Sequence, residues 1–196
     1  MKPTLLLAGC LLAATVALPT AAHETVYRVA LNGASEAPPN ASTGIGTATV
    51  TFDFDLSTMR VETSFSGLLG NVTASHVHCC TSVAGTGTAG VATVTPTFPG
   101  FPLGGTSGSY DTTFNMMLAS SYNPAFITSH GGTISSAMNA LIFGLDAGQS
   151  YLNIHTSAFP GGEIRGFLVA VPEPSTYALM LAGLGLAGLA ARRRAA

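Results

Sequence analysis

The densest chemistry in the chain lies at residues 75–80, "SHVHCC". Two histidines and two cysteines fill five positions, in a chain where only 8% of residues are Asp, Glu, Lys or Arg. On a β-strand, residues two apart face the same way. His76 and His78 then project together, and Val77 points to the other side. Two imidazoles so placed can reach one metal ion at Zn–N distances of about 2.0–2.1 Å. A third ligand is offered by "YLNIHT", where Tyr151, Asn153 and His155 share one face while Leu152 and Ile154 share the other. Both segments carry apolar residues opposite their histidines, so both histidine faces are expected to point outward from one core. Three imidazoles with an open position suit zinc or copper. His130, in the loop-like "TSHGG", is a further candidate ligand. The competing reading is a His-x-His pair that is simply solvated on a sheet face.

The cysteines raise a separate question. Once Cys10 is set aside with the N-terminal segment, Cys79 and Cys80 are the only ones left, so an intrachain disulfide can join only neighbours. Consecutive Cα atoms lie about 3.8 Å apart, below the usual span of about 4.4–6.8 Å, which makes such a bond tight and reducible. Two alternatives stay open. Cys80 shares the strand parity of His76 and His78 and could ligate a soft metal as thiolate, or the thiols could pair between molecules. Glu163 and Arg165, in "PGGEIRG", are also two apart, and a structural role is expected for both: Arg165 clamping Glu163 or a carbonyl near the turn at 160–162. No Ser-His-Asp order, phosphate loop or paired carboxylates appear in a recognisable setting.

These residues need strands to hold them, and period-two alternation supplies candidates. Tyr27, Val29 and Leu31 form one apolar set; Ala48, Val50, Phe52 and Phe54 alternate against Thr49, Thr51, Asp53 and Asp55; Val61, Thr63 and Phe65 repeat the pattern. "DLST" between the last two runs reads as a tight turn joining a hairpin. "SGSYDTTFNM" and "EIRGFLVAV" are further strand candidates. "TAGVATVTPTFPGFPLGGTSG" is a Pro/Gly-rich loop longer than ordinary connections, a type that is often functional or mobile. "TISSAMNALIFGLDAG" has helical spacing, with Thr133 as N-cap and Gly148 as stop, and "LASSYNPAFITSHGG" before it can hold another helical turn. The expectation is an all-β fold: a Greek-key-like β-sandwich of about seven or eight strands with a short helical insertion. Apolar helices are expected at both ends of the precursor.

Those ends are distinctive. Lys2 precedes an apolar run over residues 5–18, and small residues lead to a cut ahead of His23. Residues 1–22 therefore read as a secretory signal peptide, removed by signal peptidase. "LAGC" at 7–10 fits a lipoprotein box, but only six residues precede it. At the other end, Pro172, Glu173 and Pro174 lead into an apolar stretch over 177–191 and then Arg192, Arg193 and Arg194. The stretch is shorter than the roughly 20 residues of a full span. Its arginines should stay cytoplasmic, which puts the body outside the membrane. That body, residues 23–171, has the size of one domain. Three arginines (Arg28, Arg60, Arg165) against eight carboxylates leave it at −5 with no lysine. It lacks the clustered Lys and Arg that nucleic-acid binding requires.

The order of motif, apolar run and basic tail over 172–196 resembles a PEP-CTERM sorting signal. The resemblance implies cleavage by an exosortase near Pro-Glu-Pro, transient anchoring in the cytoplasmic membrane, and release to the cell surface or extracellular matrix, often with exopolysaccharide. The body resembles the CHRD domain, named after chordin. "ALNGASEAPPNASTGIGTATVTFD", "FSGLLGNVTASHVHCC" and "AGQSYLNIHTSAFPGGEIRGFL" carry that likeness, with Glu36, Pro38, Pro39, His76, His78, Asn153, His155, Gly162, Glu163, Arg165 and Gly166 at motif positions. It implies an extracellular β-rich domain without an established biochemical activity. "FSGLLGNVTASHVH" is also similar to the strand that leads into the copper His-x-His pair of Cu/Zn superoxide dismutases. The His/Asp-rich zinc loop is missing, however, and the cysteines fall elsewhere. Two functions follow as expectations. One is an exported binding or structural component of the envelope or matrix, expected to be non-enzymatic. The other is a copper- or zinc-binding protein, with redox activity left open.

Overall fold

Alternating apolar and β-branched residues become strand along most of the body. In the computed structural model, which describes residues 23–172, 179, 181–185 and 192, β1 (Glu24–Asn32), β2 (Ile45–Asp53) and β3 (Thr58–Ser66) form a continuous antiparallel meander. β4 (Val72–His78), β5 (Gly108–Asn115), β6 (Tyr151–Thr156), β7 (Ile164–Phe167) and β8 (Val169–Val171) complete it. All pairings are antiparallel, in the order β4-β6-β7-β1-β2-β3-β5, with β8 also on β1. The all-β fold of seven or eight strands is thus present as one curled antiparallel sheet. Residues 1–22 lie outside the described residues, as do Glu173, Pro174, Arg193, Arg194 and most of the C-terminal apolar stretch, and with them the expected terminal helices as whole elements. Among the described residues no helix is long and apolar enough to cross a membrane.

The Pro/Gly-rich segment between β4 and β5 is packed structure. It closes the curl by bridging the two edge strands. Phe98 N–H donates to Ser75 O and Ala92 N–H to Val77 O on the β4 side. On the β5 side, Phe98 stacks on Tyr110 with ring centroids 5.7 Å apart, and Tyr110 Oη donates to Pro99 O. Phe98 and Ala92 are fully buried. The proline-interrupted sequence cannot extend a ladder, so Thr93 and Thr97 side chains take part of the bonding and accept the N–H groups of Val77 and Ser75.

Two helices, α1 (Pro124–Ser129) and α2 (Ile134–Asp146), cover one flank. Thr133 caps α2 in a reciprocal capping box with Ser136, and Gly148 leaves the helix at φ +64°. Ala137, Leu141 and Leu145 turn its apolar stripe inward. Each buried leucine contributes about 1.5–3 kcal/mol, so this insertion belongs to the core with Tyr27, Phe52, Met59, Leu152 and Ile154. The inward sets of β1, β2 and β3 follow the alternation except for Phe54, which is 37% exposed. β2 ends at Asp53, whose Oδ1 accepts the N–H groups of Asp55 and Leu56 and starts the turn.

Candidate metal centre

β4 and β6 pair in a register that sets His76 opposite Asn153, Ala74 opposite His155 and His78 opposite Tyr151. Period two then brings His76, His78 and His155 onto one face. One ring nitrogen from each lies within 4.8 Å of the others. The Nε2 atoms of His76 and His155 are 3.0 Å apart, and the ring of His76 is centred 4.7 Å from each of the other two. Tetrahedral ligation at about 2.0–2.1 Å asks for nitrogen separations of about 3.3 Å, so the three rings stand close to a ligating arrangement.

The face is not the outward, solvated surface that alternation suggests. His76 and His78 are 7% and 9% exposed. Period two tells which side of the sheet a residue takes but not what lies above it, and here two loops do. The segment around Ala89 receives His78 Nδ1 on its carbonyl at 2.8 Å. The turn after β6 receives His155 Nδ1 on Pro160 O at 2.9 Å. A carbonyl can only accept, so both rings carry their proton on Nδ1 and present the Nε2 lone pair. Orientation of a ligating imidazole by such a carbonyl is the usual support of a metal site. His78 Nε2 is buried with no partner, and so is His76 Nδ1.

Burial lowers all three pKa values. It takes His76 to about 3, with His78 and His155 adding to the effect and only the Pro96 carbonyl opposing. It takes His78 to about 4, opposed by the carbonyls of Ala89 and Gly90 and reinforced by His155 and Arg165. His155 is lowered by burial against the pull of Pro160 O. At neutral pH the cluster is therefore three neutral imidazoles, two of which turn an Nε2 lone pair toward the third, the protonation state that metal ligation requires.

The matching family model fits this β-rich body closely: the CHRD domain model covers residues 27–168. The chain belongs to the CHRD domain family. The PEP-CTERM protein-sorting motif matches residues 170–194. No curated protein and no solved structure matches the chain. The motif implies export and exosortase processing, so this CHRD protein is exosortase-sorted and extracellular or surface-located.

Within the CHRD domain, the other expected site residues take separate places. Cys80 does not join the histidines, because β4 ends at His78 and strand parity stops there. It is disulfide-bonded to Cys79, and its Sγ lies 3.5 Å from Ala140 O on α2. His130 stands apart as well, at the end of α1 with Nδ1 on Phe126 O at 2.9 Å. Glu163 and Arg165 do not pair with one another. Glu163 precedes β7 and accepts four hydrogen bonds, from Ser42 Oγ and Leu69 N–H on Oε1 and from Thr156 Oγ1 and Gly70 N–H on Oε2. Arg165 donates through Nε to Ser35 O and lies 3.7 Å from Glu36 Oε2.

Three further residues border the histidines, and the sequence assigned none of them a role there. The ring of Tyr151 is held between His78, stacked at 4.6 Å, and the Arg165 guanidinium, 4.7 Å from its centroid. Asn153 Oδ1 and Glu36 Oε1 are buried without partners, and both line the space facing Gly162, where an added Cβ would stand 2.7 Å from each. Gly162 has φ +132°, so a side chain is doubly disfavoured there. The scarcity of cations was the usable signal for Glu36, since Arg165 must find an acid somewhere. The carbonyls of Ala89 and Pro160 have no side-chain signature at all.

Proposed function

We propose that this exported CHRD protein holds one zinc or copper ion through the Nε2 atoms of His76, His78 and His155, and acts outside the cell as a metal-binding component of the envelope or extracellular matrix. Before processing, its C-terminal segment anchors it in the cytoplasmic membrane; afterwards exopolysaccharide is its neighbour. One observation carries the metal reading: three neutral imidazoles converge, two of them buried and the third half-buried, and two (His78 and His155) are fixed by backbone carbonyls so that the Nε2 lone pair faces the cluster. Desolvated lone pairs without partners are costly, and a bound cation removes that cost. The metal would supply Lewis acidity or, if copper, one-electron chemistry. The chain's own contribution is to orient the rings through Ala89 and Pro160, to exclude water with the covering loops, and to hold His78 against Tyr151.

The test is metal analysis of untagged protein produced by export, with titration of the metal-free form. One zinc or copper ion per chain is expected, together with its loss in the His76→Ala/His78→Ala variant. Stoichiometric metal retained by that folded double variant, or wild-type protein that takes up neither ion, overturns the assignment.

A further inference from the structure

The Cys79–Cys80 disulfide plays no part in the metal centre, and its position in the chain excludes the usual reason for a disulfide. Cross-links stabilise by closing a loop of the unfolded chain, with a benefit that grows with loop length. A bond between sequence neighbours closes no such loop and ties no two segments together. A role as a staple is therefore not available to it.

Its surroundings suggest another use. Both cysteines line a cleft of 390 Å³ between the strand-like segment Ala89, Gly90 and Val91 and the α1 side, where Asn123, Ala125, Phe126, Ser129 and His130 stand. The opposite side is closed. The two sulfurs press on α2 at Gly144, where no side chain could fit because a Cβ would meet both of them. Approach to the disulfide is thus confined to the cleft. Cys79 is 4% exposed and Cys80 is half-buried, so Cys80 is the more accessible residue of the pair. His130 lines the same cleft. Its Nδ1 faces Phe126 O and carries the proton, which leaves Nε2 as a free base.

We propose that this cleft is a thiol–disulfide exchange site for a small dithiol. His130 Nε2 takes the proton of the incoming thiol, and the thiolate attacks Cys80 Sγ. A bond forms between the substrate sulfur and Cys80, the Cys79–Cys80 bond breaks, and the electron pair leaves on Cys79 Sγ, which receives the proton from His130. The second thiol of the substrate then attacks the substrate sulfur of the mixed disulfide and expels Cys80 as thiolate, which is protonated. The dithiol departs as a disulfide, oxidised by two electrons, and Cys79 and Cys80 are reduced to two thiols. The proposal is independent of the metal reading, because none of its residues is a ligand in that cluster.

The experiment uses the full exported chain under native conditions with a chelator present, and dithiothreitol as the dithiol. Samples are quenched in acid, and newly freed thiols are alkylated and counted by mass. Two labels per chain are expected, appearing at a rate proportional to dithiothreitol. His130→Gln should slow that rate by roughly tenfold to a hundredfold, the scale of a lost acid–base group. Ala125→Trp, a substitution at an exposed position that fills the cleft, should slow it at least tenfold without altering stability. If the native chain takes up label only after denaturation, or if both variants are reduced as fast as wild type, the cleft is not an exchange site.

Discussion

Two polar clusters are buried a few residues apart in this domain, and they are built on opposite principles. Around Glu163, each carboxylate oxygen accepts two hydrogen bonds, from donors in three chain segments that meet only in the fold. Burial pushes that carboxyl upward, yet the hydrogen bonds outweigh it and hold the pKa below its ordinary value. On the neighbouring histidine face, His76 Nδ1, His78 Nε2, Asn153 Oδ1 and Glu36 Oε1 are all buried and unpaired. There burial wins: it raises Glu36 to about 7 against the attraction of Arg165 and the Ala37 N–H. Both carboxyls are largely withdrawn from solvent, yet their pKa values move in opposite directions, and the one with four donors is the one held low. The saturated cluster has no capacity left for a ligand and serves architecture. The unsaturated one has capacity that nothing among the described residues fills, which is where chemistry belongs.

The contrast can be broken most directly at Glu163. Glu163→Ala leaves two backbone N–H groups and two hydroxyls without their acceptor, at about 1–3 kcal/mol for each one that stays dry. A loss of about 3–5 kcal/mol is expected in urea unfolding at pH 7. Because the folded pKa is depressed, the carboxylate's contribution is present above its unfolded value and disappears as pH falls through the folded one. An unchanged midpoint would show that this cluster is no more essential than its neighbour.

At neutral pH the histidines matter less, and their effect grows only on acidification. In the metal-free protein His76 and His78 take up protons near pH 3 and 4 when folded, against about 6.5 when unfolded. Between those limits the unfolded chain binds more protons, so stability falls as pH drops below 6.5, by up to about 1.4 kcal/mol per pH unit for each ring. Acid titrations of stability should flatten in His76→Gln/His78→Gln. A slope equal to wild type would mean that the rings are not buried neutral.

Glu36 gives the smallest effect, and it sharpens the comparison. Its raised pKa means that the folded state holds a proton which the unfolded chain has lost between about 4.3 and 7, so this residue makes stability decline as pH rises through that window. At pH 5 the native carboxyl is already neutral, and Glu36→Gln should leave the urea midpoint where it was. At pH 8 the variant should equal or exceed wild type. A deficit approaching that of Glu163→Ala would erase the distinction between the two clusters.

Much of this was legible before the fold. Alternation located β1, β2 and β3 and their buried faces, and the spacing of Thr133, Leu141, Leu145 and Gly148 located α2 with its cap and stop. The convergence of His76, His78 and His155 followed from strand parity together with one pairing, β4 on β6. What failed did so where strand parity ceased to apply. Cys80 was set on the histidine face by extrapolating a strand that ends two residues earlier. For Arg165 the sequence offers Glu163 or a carbonyl of the 160–162 turn, whereas its partners, the Ser35 carbonyl and Glu36, arrive on a loop about 130 residues earlier in the chain. The burial of the histidines could not be read at all, since it depends on loops whose contribution is backbone carbonyls.

The three-residue β8 ends at Val171 while still paired alongside Val26–Arg28, and the sorting motif, matched from residue 170, begins within it and continues directly into Pro172. There is no slack between a folded sheet and the region to be cut. A processing enzyme must therefore work flush against the domain or first peel away β8, whose three residues are all exposed.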